Sequence, residues 1–96
     1  MIVSFADEAT EALFRGRPSL ALRRFPPSVL ATAARKLDML DAAVDLRDLA
    51  IPRGKRLHLL WGDRTGTCAI RVNDQWRIVF RWANGKAWDV AMADYH

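Results

Sequence analysis

The hydrophobic pattern of this chain changes period near its middle, and that change narrows its possible folds more than any other feature. Leu30, Ala33, Leu37, Leu40 and Val44 recur at alternating spacings of three and four, the apolar stripe of a helix that buries one side. Beyond residue 58 the spacing falls to two. In "TCAIRVN", Cys68, Ile70 and Val72 point one way, and Ala69 and Arg71 the other. In "WRIVFRW", Trp76, Ile78, Phe80 and Trp82 oppose Arg77, Val79 and Arg81. Such alternation belongs to strands with one buried face.

The punctuation supports both periods. Asp7 offers an N-cap to "EATEALFR", whose early acids Glu8 and Glu11 and late Arg15 suit the helix dipole. Gly16 and Pro18 end that helix. Pro26 and Pro27 open the second, in "FPPSVLATAARKLDMLDAAVD", where a missing N–H is harmless. "DLRDLAIPRGKR" is a connector broken by Pro52 and Gly54. "IVSF" at residues 2–5 reads as a short first strand, "LHLLW" at 57–61 as the next, and "GDRTG" and "NDQ" as turns. Asn84-Gly85 predicts a type I′ hairpin before "AWDVAMADY", the last strand. The order is β-α-α-β-β-β-β. It predicts one α+β domain over residues 1–96, with two N-terminal helices on a curved, mainly antiparallel sheet of four to five strands.

Composition sets the class. A chain of 96 residues that is 51% hydrophobic can bury one core. No apolar run nears the ~20 residues of a membrane span. The first residues lack the basic region of a secretory signal, and Cys68 is the sole cysteine, so a reducing cytoplasmic setting is expected, with no membrane association. Residues 1–52 carry seven bases and seven acids, whereas residues 53–96 carry eight bases and four acids. All the excess positive charge is therefore in the second half, which suggests a polyanionic partner. By alternation, Arg71, Arg77 and Arg81 stand on the sheet face that the helices leave open. They do not alternate with acids along their strands, and a concave face so lined can hold a phosphate backbone.

Only two histidines occur, His58 and His96, and the chain ends on Asp94, Tyr95 and His96. Cleavage of RNA by its own 2′-hydroxyl needs a base, an acid and a cation for the phosphorane charge. His58, His96 or Asp94 can move the protons, and Arg77, Arg71 or Arg56 can hold the charge. Tyr95 can orient an imidazole or stack on a base. Each also has a plainer role: His58 as a half-buried aromatic, Tyr95 as an anchor for the tail, Arg77 as a cross-strand partner. Trp76 and Trp82 read as core. Two distant histidines and one cysteine lack metal-ligand spacing, so neither metal nor cofactor is expected.

The segments "MIVSFADEATEALFRG", "RKLDMLDAA", "RLHLLWGDRTG", "VNDQWRIVFRW" and the terminal "DYH" follow the order found in HigB toxins of the RelE/ParE superfamily, and the chain resembles that family over nearly its whole length. The resemblance implies a microbial-ribonuclease-type RelE-like fold and a ribosome-dependent mRNA endonuclease of a type II toxin–antitoxin system. It implies a HigA-like helix-turn-helix antitoxin, the ribosome and mRNA as partners, with operator DNA reached only through the antitoxin. It points to His58, Arg77, Asp94, Tyr95 and His96 as the catalytic set, to which the placement of positive charge adds Lys55, Arg56, Arg71 and Arg81 as RNA-binding residues. One departure stands out. Where the family commonly reads "LHPLKGD", this chain has Leu59 for the proline and Trp61 for the lysine, which takes one charge from the substrate face unless Lys55 or Arg56 supplies it. Two other readings compete with the nuclease: a ParE-like gyrase inhibitor that cuts no RNA, and a degenerate, non-toxic relative.

Overall fold

A computed structural model of the chain describes residues 1–49, 59–61 and 67–94, the middle segment by its backbone. Helix α1 (Glu8–Arg15) starts as its sequence suggests: Asp7 is extended and its carboxylate accepts the Thr10 N–H at 2.8 Å. Gly16 closes it at φ 70°, a left-handed conformation that suits glycine. Thr10 is buried, and its Oγ1 accepts the Met92 N–H at 3.0 Å, fastening α1 to the sheet.

Helix α2 (Pro27–Ala42) begins on the two prolines and buries Val29, Ala33, Leu37 and Leu40. The expected stripe is displaced at its ends. Leu30 is half-buried, Val29 takes its place in the core, and Val44 is 79% exposed. The helix stops at Ala42, so the helical period no longer governs Val44. The Asp48 carboxylate accepts the N–H groups of Val44 and Asp45, each at 3.1 Å, and starts a 3₁₀ turn at Leu46–Leu49. A second 3₁₀ turn, Leu20–Arg24, fills the link between the helices.

The strands β1 (Leu59–Trp61), β2 (Thr67–Arg71), β3 (Trp76–Ala83) and β4 (Lys86–Asp94) lie in the order β1-β2-β3-β4, every neighbouring pair antiparallel. β2 to β4 are the long strands, and β1 adds three residues at one edge. Asn84 and Gly85 have φ values of 55° and 72°, the left-handed pair a type I′ turn demands. Residues 2–5 do not form the expected first strand. They make two isolated parallel bridges with β4, Ile2 to Ala87 and Phe5 to Val90. A bulge explains the interruption. The β3–β4 register slips between Val79 and Arg81, Asp89 takes a φ of 54°, and its N–H donates to Ser4 Oγ at 2.9 Å.

The core lies between α2 and one face of the sheet. Leu37, Leu40, Leu49, Ile70, Ile78 and Phe80 are essentially inaccessible to water, and the Phe25 ring meets Trp76 edge-on at 4.7 Å between centroids. Trp76, Ile78 and Phe80 are buried and Trp82 half-buried, as the alternation predicts. Among the described residues no helix is long and apolar enough to cross a membrane.

Candidate active site

Of the candidate residues that are described, Arg71, Arg77 and Asp94 lie where β2, β3 and β4 share one end, whereas Arg81, opposite Thr67 and Trp88, lies toward the other. Leu59 begins β1 opposite Ile70; Arg71 then ends β2 opposite Arg77, near the start of β3; and Arg77 faces Ala93, next to last in β4. Arg71, Arg77 and Ala93 therefore form one row across the face that α2 does not cover. Two arginines directly opposite each other repel, and the turn between their strands answers that. Asp74 forms an ion pair with Arg71. The Asn73 side chain shapes the same turn, accepting the N–H groups of Gln75 at 2.9 Å and Trp76 at 2.7 Å. Gln75 Nε2 donates to Asp94 Oδ2 at 3.4 Å. Each residue of "NDQ" thus acts on this end of the sheet: one builds the turn, one neutralises Arg71, one holds Asp94.

Arg77 is the most enclosed of the three arginines. Its Nε and Nη1 are shielded from water. On β4 the small residue Ala93 stands opposite it and Ala91 stands opposite Val79. Asp94 pairs in register with Trp76, one position out of phase with the arginine row, so it stands at the rim of the sheet and not on the face itself.

Acids do reach the arginine face, contrary to the strand pattern alone. Besides Asp74, Asp89 of β4 accepts from Arg81 Nε at 3.2 Å. Neither acid sits beside its arginine on the same strand; one arrives from a turn and one across the hairpin. Both pairs are exposed, with the Asp74 side chain 96% accessible. Such pairs contribute little and yield readily to a competing anion.

Lys36 is a member of this end that the sequence did not single out. It projects from α2, and its Nζ donates to the Arg71 carbonyl at 2.7 Å. Burial, with the nearby Arg35 and Arg71 charges, holds its amine below the ordinary lysine range. Only the packing of α2 on β2 brings it there. Cys68 lies in the core, where burial pushes its thiol up, away from reactivity. Among the described residues no group of three His, Cys, Asp or Glu is placed to hold a metal ion. His58, Tyr95, His96, Lys55 and Arg56 lie outside the described residues. Leu59 and Trp61, the departures from the family pattern, are backbone-paired with Ile70 and Cys68.

Comparison with known proteins agrees over the whole chain. The HigB-like toxin family, RelE-like toxins of the type II toxin–antitoxin system HigB, matches residues 3–96. A Vibrio cholerae serotype O1 protein named Toxin HigB-1 is 46% identical over 87 residues, 91% of this chain and 90% of its own. The Endoribonuclease HigB of Proteus vulgaris is 32% identical over 96 residues, the full length of both.

Proposed function

Because the chain belongs to the HigB-like family, the RelE-like toxins of type II toxin–antitoxin systems, we propose that it is an endoribonuclease that cuts mRNA on the ribosome and so arrests growth. The relative named Endoribonuclease HigB supports the reaction class. The observation that carries the reading is the common end of the sheet. Leu59 begins β1, Arg71 ends β2, Trp76 begins β3 and Asp94 ends β4 there. Arg77 follows Trp76 within β3, and in the sequence His58 precedes Leu59 while Tyr95 and His96 follow Asp94.

In the proposed reaction the 2′-hydroxyl of the message attacks the adjacent phosphorus. The P–O2′ bond forms, the P–O5′ bond breaks, and the products are a 2′,3′-cyclic phosphate and a 5′-hydroxyl. One group among His58, Asp94 and His96 takes the 2′ proton, and another protonates the departing 5′ oxygen. Arg77 holds the phosphorane charge, and a cation partly shielded from water acts on it more strongly than a solvated one. Tyr95 orients an imidazole or stacks on a base. Lys55, Arg56, Arg71 and Arg81 contact phosphates, Arg71 and Arg81 by exchanging their exposed carboxylate partners for the substrate.

The partners follow from this role: ribosome-bound message in the cytoplasm, and a HigA-like helix-turn-helix antitoxin through which the pair reaches operator DNA. Expression in bacteria tests it. The wild-type chain should stop growth and shorten reporter mRNA within its coding region, while His96→Ala and Arg77→Ala should do neither. Purified chain should cut message in translating ribosomes and leave the same RNA intact when free. Growth arrest that survives both substitutions, or DNA damage with intact mRNA, overturns the assignment.

A further inference from the structure

We propose that the groove over the 3₁₀ turn Leu20–Arg24 is the docking surface for an acidic, amphipathic segment of the cognate antitoxin. The equal numbers of acids and bases in the first half of the chain conceal a polarised layer. Between Glu11 and Asp38 there is no acid, and there are six bases. One of them, Arg23, lines a groove of about 440 Å³ together with Pro18, Ser19, Leu20 and Leu22, and Arg17 and Arg24 adjoin those lining residues along the chain. All three are exposed, and among the described residues none is in an ion pair. The acid nearest the groove is Glu8, whose Oε2 accepts from Ser19 Oγ at 3.5 Å, so the rim remains positive. Leu20 is 75% exposed. Burying it under a partner removes a large apolar side chain from water.

The groove is also preformed. Ser19 Oγ accepts the Ala21 N–H at 3.2 Å, the Arg24 guanidinium lies 4.8 Å over the Phe25 ring, and Phe25 is anchored in the core against Trp76. A rigid surface loses little entropy on binding. An apolar floor with a cationic rim matches a helix bearing aliphatic residues on one face and carboxylates beside them. It suits RNA poorly, because a single-strand path needs exposed aromatic platforms for the bases, and this floor is aliphatic.

The inference rests on membership of a toxin–antitoxin family and not on the nuclease reading, and its test needs no cleavage assay. The cognate antitoxin is co-purified with the full chain, separated, and its affinity for each variant measured by calorimetry. Leu20→Ser, and the combined Arg17→Gln, Arg23→Gln and Arg24→Gln, should each weaken binding about tenfold or more, as loss of an interface anchor does. Arg71→Gln with Arg81→Gln should leave the affinity within about twofold. In cells the groove variants should still arrest growth, and co-expressed antitoxin should no longer rescue it. Because these side chains are exposed, circular dichroism should show an unchanged fold. Unaltered affinity in the groove variants overturns the proposal, as does an equal loss in the Arg71/Arg81 variant. Weakened ribosome binding with intact antitoxin affinity would assign the groove to RNA and overturn it too.

Discussion

β3 shows two opposed surfaces from one run of eight residues. Toward α2 it buries Trp76, Ile78 and Phe80; on the other side it carries Arg77, Val79 and Arg81. On the buried side position is enforced by contact from every direction, and a missing atom leaves a void. On the open side position is enforced through the sheet alone. Arg71, Arg77 and Ala93 line up because their strands pair, and the charges are then adjusted by acids brought from a turn and from a neighbouring strand. The first surface makes the second possible without contributing to its chemistry. Substitutions on the two sides should therefore fail in different ways.

The largest effect should come from Phe80→Ala. The side chain is 1% exposed at the centre of the core, and its loss should destabilise the fold by about 3–5 kcal/mol. That is a large part of the ~5–15 kcal/mol that holds a domain together. Urea unfolding should show the shift, and any loss of toxicity should follow the loss of folded protein. Arg77→Gln should do the reverse. Stability should change by no more than about 1 kcal/mol, while cleavage of ribosome-bound message falls roughly 100-fold, the usual effect of removing one positioned stabiliser of transition-state charge. A variant that unfolds in step with its lost activity would erase the distinction between the two faces.

The same contrast explains what the sequence disclosed. Alternation reveals which side of β3 is buried, because burial is a property of each residue and its period. Caps and turns are equally local: Asp7 with Thr10, Gly16, and Asn84-Gly85 each act within a few residues. The period assigns Val44 to the buried stripe, but α2 ends at Ala42, where the Asp48 carboxylate takes the Val44 N–H, and no period encodes that. Residues 2–5 read as a strand, but a bulge at Asp89, far along the chain, limits them to two bridges. The place of Arg77 on the open face was legible from the alternation, whereas the acids beside Arg71 and Arg81 were not. Asp74 and Asp89 reach them only after the turns have formed. Lys36 was invisible for the same reason, since a helix pattern does not tell which strand end a lysine will meet.

Arg71→Gln with Arg81→Gln should have a smaller effect, and one visible mainly in salt. Their ion pairs are exposed, so stability should move by less than about 1 kcal/mol. If both exchange their acids for phosphate, the dependence of ribosome binding on salt should lose a slope of about one for each. Equal slopes for this variant and the wild type would make these arginines part of a solvated surface and leave Arg77 as the cation of that face that meets RNA.

The smallest effect tests the contact that joins the two sides. Lys36 belongs to the helical layer, yet its amine holds the Arg71 carbonyl at the end of the arginine face. Its folded pKa is below the ordinary 10.5, chiefly through burial and then through Arg35 and Arg71. A lysine of this kind binds its proton less tightly when folded than when unfolded. The unfolded chain therefore carries more protons across the interval between the two values, and stability rises with pH there. Below the folded pKa the penalty is present in full; as pH climbs toward 10.5 it is relieved. Lys36→Met removes that titration and leaves every other group in common, so the difference between the two proteins isolates it. The wild type should gain on the variant as the solution becomes alkaline and hold a constant difference at lower pH, by urea unfolding at each pH. A difference that stays flat through the alkaline range would mean that the amine is as well solvated as any surface lysine, and that α2 does not fix the end of β2 through it.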